Sequence, residues 1–93
     1  MRKVILNFRG QDSREEIQEY IAKQMDFPIY YGRNLDALYD CLTDIMEPMA
    51  IGCYFSERQQ PELEEYMEKL KETFTDAEED NHNLAVFFGR QER

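Results

Sequence analysis

Apolar residues along this chain fall into two patterns, short continuous runs and stripes at helical spacing. Three runs, rich in β-branched, aliphatic or aromatic residues, predict strands near residues 3–8, 49–55 and 84–88. Because the runs are nearly continuous, and do not alternate with polar residues, we expect these strands to be buried on both faces, as in many parallel sheets.

The segments between the runs have the periodicity of amphipathic helices. Ser13 and Glu16 form a capping box, Asn34 is a good N-cap, and Pro61 suits a first helical turn. Three helices are therefore predicted near residues 13–25, 34–46 and 61–79. The side chains expected to be buried on the second and third helices are Leu35, Leu38, Leu42, Leu63, Leu70 and Phe74.

Strands that alternate with helices imply crossover connections and hence a parallel sheet. The expected fold is α/β, a small three-stranded parallel sheet packed with three to four helices. Ninety-three residues, 42% of them hydrophobic and including six Phe and six Tyr, suffice for one hydrophobic core. Residues 1–93 are therefore interpreted as a single domain.

Acidic residues are concentrated in the middle of the chain. The formal net charge is −9, and residues 34–80 alone carry 14 acidic but only 3 basic residues. Such a surface repels phosphate backbones and anionic lipids and attracts basic proteins. No run approaches the ~18 apolar residues of a membrane span. We therefore expect a basic protein partner, with no direct nucleic-acid or membrane binding.

Residue sets that carry catalytic chemistry are missing from the sequence. His82 is the single histidine, and it lies in a predicted turn away from both serines. Cys41 and Cys53 are twelve residues apart, without the spacing of a zinc or redox motif. No glycine-rich phosphate-binding motif occurs. The prediction is a non-enzyme without cofactor or metal. With no export signal recognised, we expect a cytoplasmic protein with reduced cysteines.

Asp36, Asp40 and Asp44 follow one another at four-residue spacing on the second predicted helix. Like charges at this spacing destabilise a helix by roughly 0.2–0.5 kcal/mol per pair. Nearby tyrosines are typical of a protein-binding surface, although one of them, Tyr31, is expected in the core. A hydrolase with Asp36 and Asp40 as its two carboxylates is disfavoured, because a convex helix provides no cleft.

The segment of residues 30–43, YYGRNLDALYDCLT, resembles the signature loop and helix of the barstar family, the intracellular inhibitors of secreted bacterial ribonucleases. The resemblance implies a basic ribonuclease as partner, blocked at its active site, and we expect the inhibitor to be a monomer. It implies that Asp40 takes the place of a substrate phosphate, with Asp36 beside it. The other residues implied in the contact are Tyr30, Gly32, Asn34, Tyr39, Thr43 and, late in the third helix, Asp76.

Three residues depart from the family pattern. Arg33 stands where the type protein has an acidic residue, Tyr39 where it has Trp, and Asp44 where it has Gly. A positive charge facing a basic nuclease is repulsive, so we expect Arg33 to meet a carboxylate in the partner. Arg33 also leaves an alternative open, a barstar-like regulatory module whose protein partner is not a nuclease.

Overall fold

A computed structural model describes residues 1–56 and 61–90 of the chain. Within these ranges three helices pack on a three-stranded parallel sheet, which confirms the predicted α/β class. Of the predicted polar tail, residues 91–93 lie outside the described residues. The elements in chain order are β1 (Arg2–Phe8), α1 (Arg14–Met25), α2 (Leu35–Thr43), β2 (Met49–Phe55), α3 (Pro61–Asp80) and β3 (Leu84–Arg90).

The sheet has the strand order β1-β2-β3, and both neighbouring pairs are parallel. Cys53 in the central strand lies opposite Leu6 on one side and Phe88 on the other. The third strand continues to Arg90, two residues beyond the predicted end, because Gly89 and Arg90 extend the pairing with β2.

In residues 1–56 and 61–90, helices cover only one face of the sheet, so the prediction that the strands are buried on both faces is wrong. On β1, Leu6 and Phe8 are fully buried, whereas Ile5 between them is 56% exposed. Phe87 on β3 lies in the same row as Ile5 and is 60% exposed. Continuous apolar runs did not reveal this, because the uncovered face is itself partly apolar.

The hydrophobic core lies between the covered face of the sheet and the three helices. Helix α1 packs on β1, while α3 packs on β3 and on α2. Leu35 was predicted to be buried but is only half-buried, because it lies in the first turn of α2 at the edge of the core. The fully buried helix side chains are Ile17, Gln18, Ile21, Leu38, Leu42, Leu70, Phe74 and Ala77.

Helix α2 ends at Thr43, three residues before the predicted end. The amide side chain of Asn81, between α3 and β3, donates hydrogen bonds to the carbonyls of Leu42 (3.0 Å) and Ile45 (2.9 Å). A helix leaves its last carbonyls without intrahelical donors. Asn81 therefore adds a donor from a distant part of the chain at the point where α2 ends.

Candidate protein-binding site

The loop before α2 is shaped to start that helix at a fixed place. The Asn34 side chain accepts a hydrogen bond from the Ala37 amide (2.7 Å) and donates one to the Gly32 carbonyl (3.3 Å). A Cβ atom at Gly32 would lie 3.1 Å from the Cβ of Ala37, so glycine permits this close approach. Gly32 and Asn34 therefore act in the free protein by setting the direction of α2.

Asp36 and Asp40 lie one turn apart on the exposed side of α2. Across residues 1–56 and 61–90, no ion pair is formed by either carboxylate. Asp44 is also exposed, but it is the C-cap and lies outside the helix. The predicted stripe of three aspartates is thus a pair on the helix followed by a capping residue.

Tyr39 connects the acidic side of α2 to α3. Its hydroxyl donates a hydrogen bond to the carboxylate of Asp80. This hydrogen bond raises the pKa of the Tyr39 hydroxyl, and the nearby charges of Asp76 and Asp40 act in the same direction. The predicted residue Asp76 therefore lies near Tyr39, on the α3 side of the contact. We call Asp36, Asp40, Asp76 and Asp80 together the acidic surface.

Two other predicted contact residues, Tyr30 and Thr43, have different surroundings. Tyr30 is 84% exposed in the loop, next to Ile29, which is 91% exposed. The Thr43 hydroxyl instead lies 2.9 Å from the carbonyl oxygen of Tyr39 and 3.1 Å from that of Asp40. Tyr30 therefore presents its ring to solvent, whereas Thr43 uses its hydroxyl within its own helix.

Tyr31 is buried, as predicted, and holds the loop against the core. Its hydroxyl donates to Oε1 of Gln18 (2.5 Å), and Nε2 of Gln18 donates to the hydroxyl of Tyr66 (2.7 Å). Burial raises the pKa of the Tyr31 hydroxyl, which keeps its proton for this bond. We call Gln18, Tyr31 and Tyr66 the loop anchor, since they join the loop to α1 and α3.

Arg33 has its own carboxylate partner within the chain. Its Nε atom donates to Oε1 of Glu19 on α1 (2.8 Å), and Nη1 donates to the Tyr31 carbonyl (3.2 Å). The hydrogen bond and charge of Arg33 lower the pKa of the Glu19 carboxyl. The carboxylate that we expected in a partner is thus already supplied by α1.

Three other features bear on function: possible metal ligands, the two cysteines and the hydrophobicity of the helices. No group of three His, Cys, Asp or Glu side chains is arranged to hold a metal ion in the described part of the chain. Both cysteines are free thiols there; Cys53 is buried and Cys41 half-buried. In residues 1–56 and 61–90 there is no helix with the length and hydrophobicity that a bilayer crossing requires.

Comparison with known proteins agrees with the loop and helix just described. A family model described as Barstar (barnase inhibitor) matches residues 1–89. The chain belongs to the barstar family. A curated relative from Bacillus subtilis (strain 168), named "Putative ribonuclease inhibitor YrdF", is 36% identical over 81 residues. The match covers 86% of this chain and 89% of the relative.

The sequence analysis did not single out four residues whose side chains the structure joins to the loop, its anchor or α2: Gln18, Glu19, Tyr66 and Asp80. Asp80 lies one helical turn after Asp76, so the four-residue spacing was an available signal. Gln18 occurs on the apolar side of α1 between Ile17 and Ile21, where a polar residue requires a buried partner. Glu19 carries no such signal, because its partner Arg33 is distant in sequence.

Proposed function

We propose that this protein inhibits a basic ribonuclease by placing the acidic surface in the active-site cleft of the enzyme. The observation that carries this proposal is the exposure of Asp36 and Asp40, one turn apart and without an ion pair in the described residues. Membership of the barstar family and the name of the B. subtilis relative support a ribonuclease as the partner.

Asp40 is proposed as the central residue, in the place of a substrate phosphate. A ribonuclease binds the phosphate with cationic side chains, and a carboxylate forms charge-assisted hydrogen bonds with the same groups. Asp36, one turn earlier, adds a second negative charge to the same cleft. Because α2 is fixed at both ends by Asn34 and Asn81, these carboxylates are held before binding.

The rest of the acidic surface acts over a longer range. Asp76 and Asp80 extend the negative charge onto α3, and residues 34–80, with 14 acidic and 3 basic residues, carry all of the net negative charge of the chain. A field of this sign accelerates encounter with a basic enzyme, and salt screens it. Increasing ionic strength is therefore expected to lower the association rate constant, kon, more than it changes the dissociation rate constant, koff.

The loop and the flanks of α2 are proposed to complete the contact. Tyr30 offers an exposed ring for stacking on the enzyme, and Tyr39 lies between the α2 and α3 carboxylates. Gly32 and Asn34 bring the backbone into position, while Thr43 fixes the last turn of the helix. In the proposed contact, carboxylates form the centre, and aromatic side chains and loop backbone surround them.

No bond is made or broken in this mechanism, and the protein is proposed to be a non-enzyme without cofactor. We propose that it acts as a cytoplasmic monomer that does not itself bind nucleic acid or membranes. The regulatory-module alternative depended mainly on Arg33 as an isolated positive charge. Because Arg33 is paired with Glu19, that argument loses its support.

An inhibition assay tests the proposed function. Purified wild-type protein is titrated into barnase and into other basic ribonucleases while RNA cleavage is followed. We expect stoichiometric inhibition that Asp40→Ala weakens strongly. Glu68→Ala is the matched control, because it removes an exposed carboxylate from α3 that pairs with Lys71. If no basic ribonuclease is inhibited by the wild type, the proposal is wrong and the regulatory-module alternative is preferred.

A further inference from the structure

Arg33 adopts an unusual backbone conformation immediately before the N-cap of α2. Its φ angle is 56°, in the left-handed region, whereas Gly32 beside it has no positive φ. Residues other than Gly, Asn and Asp rarely adopt this conformation, because the Cβ atom crowds the following carbonyl oxygen. Such a conformation persists only where surrounding contacts hold it.

The side chain of Arg33 provides those contacts. One guanidinium joins Oε1 of Glu19 on α1 (2.8 Å) to the carbonyl of Tyr31 in the loop (3.2 Å). The Arg33 side chain is 42% exposed and that of Glu19 is 65% exposed, so the pair lies at the surface. Exposed ion pairs contribute little on their own, but this one also fixes a strained backbone residue.

The ion pair lies beside the loop anchor. Gln18, which accepts a hydrogen bond from the Tyr31 hydroxyl, precedes Glu19 on α1. Two consecutive residues of one helix therefore hold two loop residues, one in the core and one at the surface. Asn34 follows Arg33 directly and caps α2, so the position of Arg33 bears on the direction of the helix that carries Asp36.

We propose that Glu19 and Arg33 are positioning residues, an ion pair that holds the binding loop and the start of α2 in the orientation that the partner recognises. This inference rests on the proposed function. In this role the positive charge of Arg33 is neutralised within the chain and needs no carboxylate in the partner. Glu19 becomes a determinant of binding although it belongs to a helix outside the acidic surface.

A charge exchange tests the proposal. Glu19→Arg and Arg33→Glu are each compared with the double variant for koff from an inhibited ribonuclease, since long-range charge mainly affects kon. We expect each single variant to raise koff about two- to five-fold, the range of an exposed ion pair, and the double variant to restore most of the loss. Glu68→Arg with Lys71→Glu on α3 is the control exchange and should leave koff unchanged.

Amide hydrogen exchange in the free protein gives a second readout that needs no partner. The Tyr31 amide donates to the Pro28 carbonyl (2.9 Å), so its exchange rate reports on loop order. Faster exchange in both single variants and recovery in the double variant support the proposal, even if no ribonuclease is inhibited and the proposed function fails. Unchanged exchange, or a double variant whose koff is no better than that of Arg33→Glu, would overturn it.

Discussion

Two neighbouring regions of the site differ in how their polar groups are satisfied. The carboxylates of Asp36 and Asp40 are exposed and form no ion pair in the described part of the chain. In the loop anchor, by contrast, Gln18, Tyr31 and Tyr66 are buried, and Gln18 is hydrogen-bonded to both tyrosines. The carboxylates of the first region are free to bind a partner, whereas the polar groups of the second are already hydrogen-bonded within the fold.

This difference separates the residues that bind the partner from the residues that stabilise the fold, which we call the supporting region. A carboxylate without a partner in the free protein can form its strongest contacts in a complex, and its removal costs the fold little. A buried hydroxyl or amide contributes to the fold, and its loss leaves other buried groups unsatisfied. The comparison therefore predicts opposite effects on affinity and stability for substitutions in the two regions.

The largest expected effect is on affinity, at Asp40. Asp40→Ala should weaken binding of the ribonuclease by about 2–5 kcal/mol or more, mainly through koff, because it leaves a cationic group of the enzyme buried without a partner. That range draws partly on barnase and its inhibitor, so it is borrowed from this family. Binding kinetics and urea unfolding of the same variant provide the check.

The free energy of unfolding of Asp40→Ala should stay within about 0.5 kcal/mol of wild type, as for most surface substitutions. An unchanged koff would remove Asp40 from the centre of the interface. A large loss of stability would instead place Asp40 in the supporting region and end the distinction between the two regions.

The next largest effect is on stability, at the loop anchor. Gln18→Leu leaves the hydroxyls of Tyr31 and Tyr66 without their shared partner, at about 1–3 kcal/mol for each buried group. Gln24→Leu makes the same chemical change at an exposed position of α1 and should be near neutral. Urea unfolding compares the two variants, and equal stabilities would show that the anchor contributes nothing to the fold.

A smaller effect is expected where α2 ends. Asn81→Ala removes one of two donors to each of the carbonyls of Leu42 and Ile45, the others being the Ile45 amide and the Asn83 side chain, and should cost about 1–2 kcal/mol of stability. Amide exchange in the last turn of α2 should become faster. His82→Ala changes the exposed neighbouring residue and is the control. Wild-type exchange rates in the Asn81 variant would mean that α2 ends there for another reason.

The two ends of α2 also explain what the sequence could and could not predict. The Asn34 side chain caps the helix by accepting a hydrogen bond from the Ala37 amide, only three residues away, so local sequence was sufficient for the start. At the end, the Leu42 carbonyl accepts a hydrogen bond from Asn81, 39 residues later, and no local pattern contains that contact. The predicted helix therefore began correctly and ran three residues too far.

In the sheet and in the site, too, local sequence patterns did not reveal contacts between distant parts of the chain. Strand positions and parallel order followed from the apolar runs and crossovers, but the runs did not tell which face the helices cover. The signature segment predicts Tyr30, Asp36 and Asp40 as contact residues, since all three lie within one continuous stretch of sequence. It did not reveal that Arg33 is paired, because Glu19 lies on α1 and the contact forms only when the loop packs on that helix.

The last effect is absent at neutral pH and concerns Cys53, in the core between the sheet and the helices. Burial raises the pKa of the Cys53 thiol from 9.0 to about 12. A raised pKa in the folded state means that the stability contributed by the protonated thiol is complete below about pH 9. It is lost as pH rises toward 12, by about 1.4 kcal/mol per pH unit. Unfolding curves between pH 8 and 11 should therefore decline less steeply for Cys53→Ala than for wild type. Parallel curves would contradict this assignment.

The central claim is that the acidic surface and the binding loop, and no other face, contact a basic ribonuclease. The most direct measurement is a nuclear magnetic resonance titration of the isotopically labelled protein with an inhibited ribonuclease. We predict that the largest shift changes lie in residues 29–44 and 76–80, and that the uncovered sheet face around Ile5 and Phe87 is unaffected. Shift changes centred on that sheet face, with residues 36–40 unperturbed, would contradict the account.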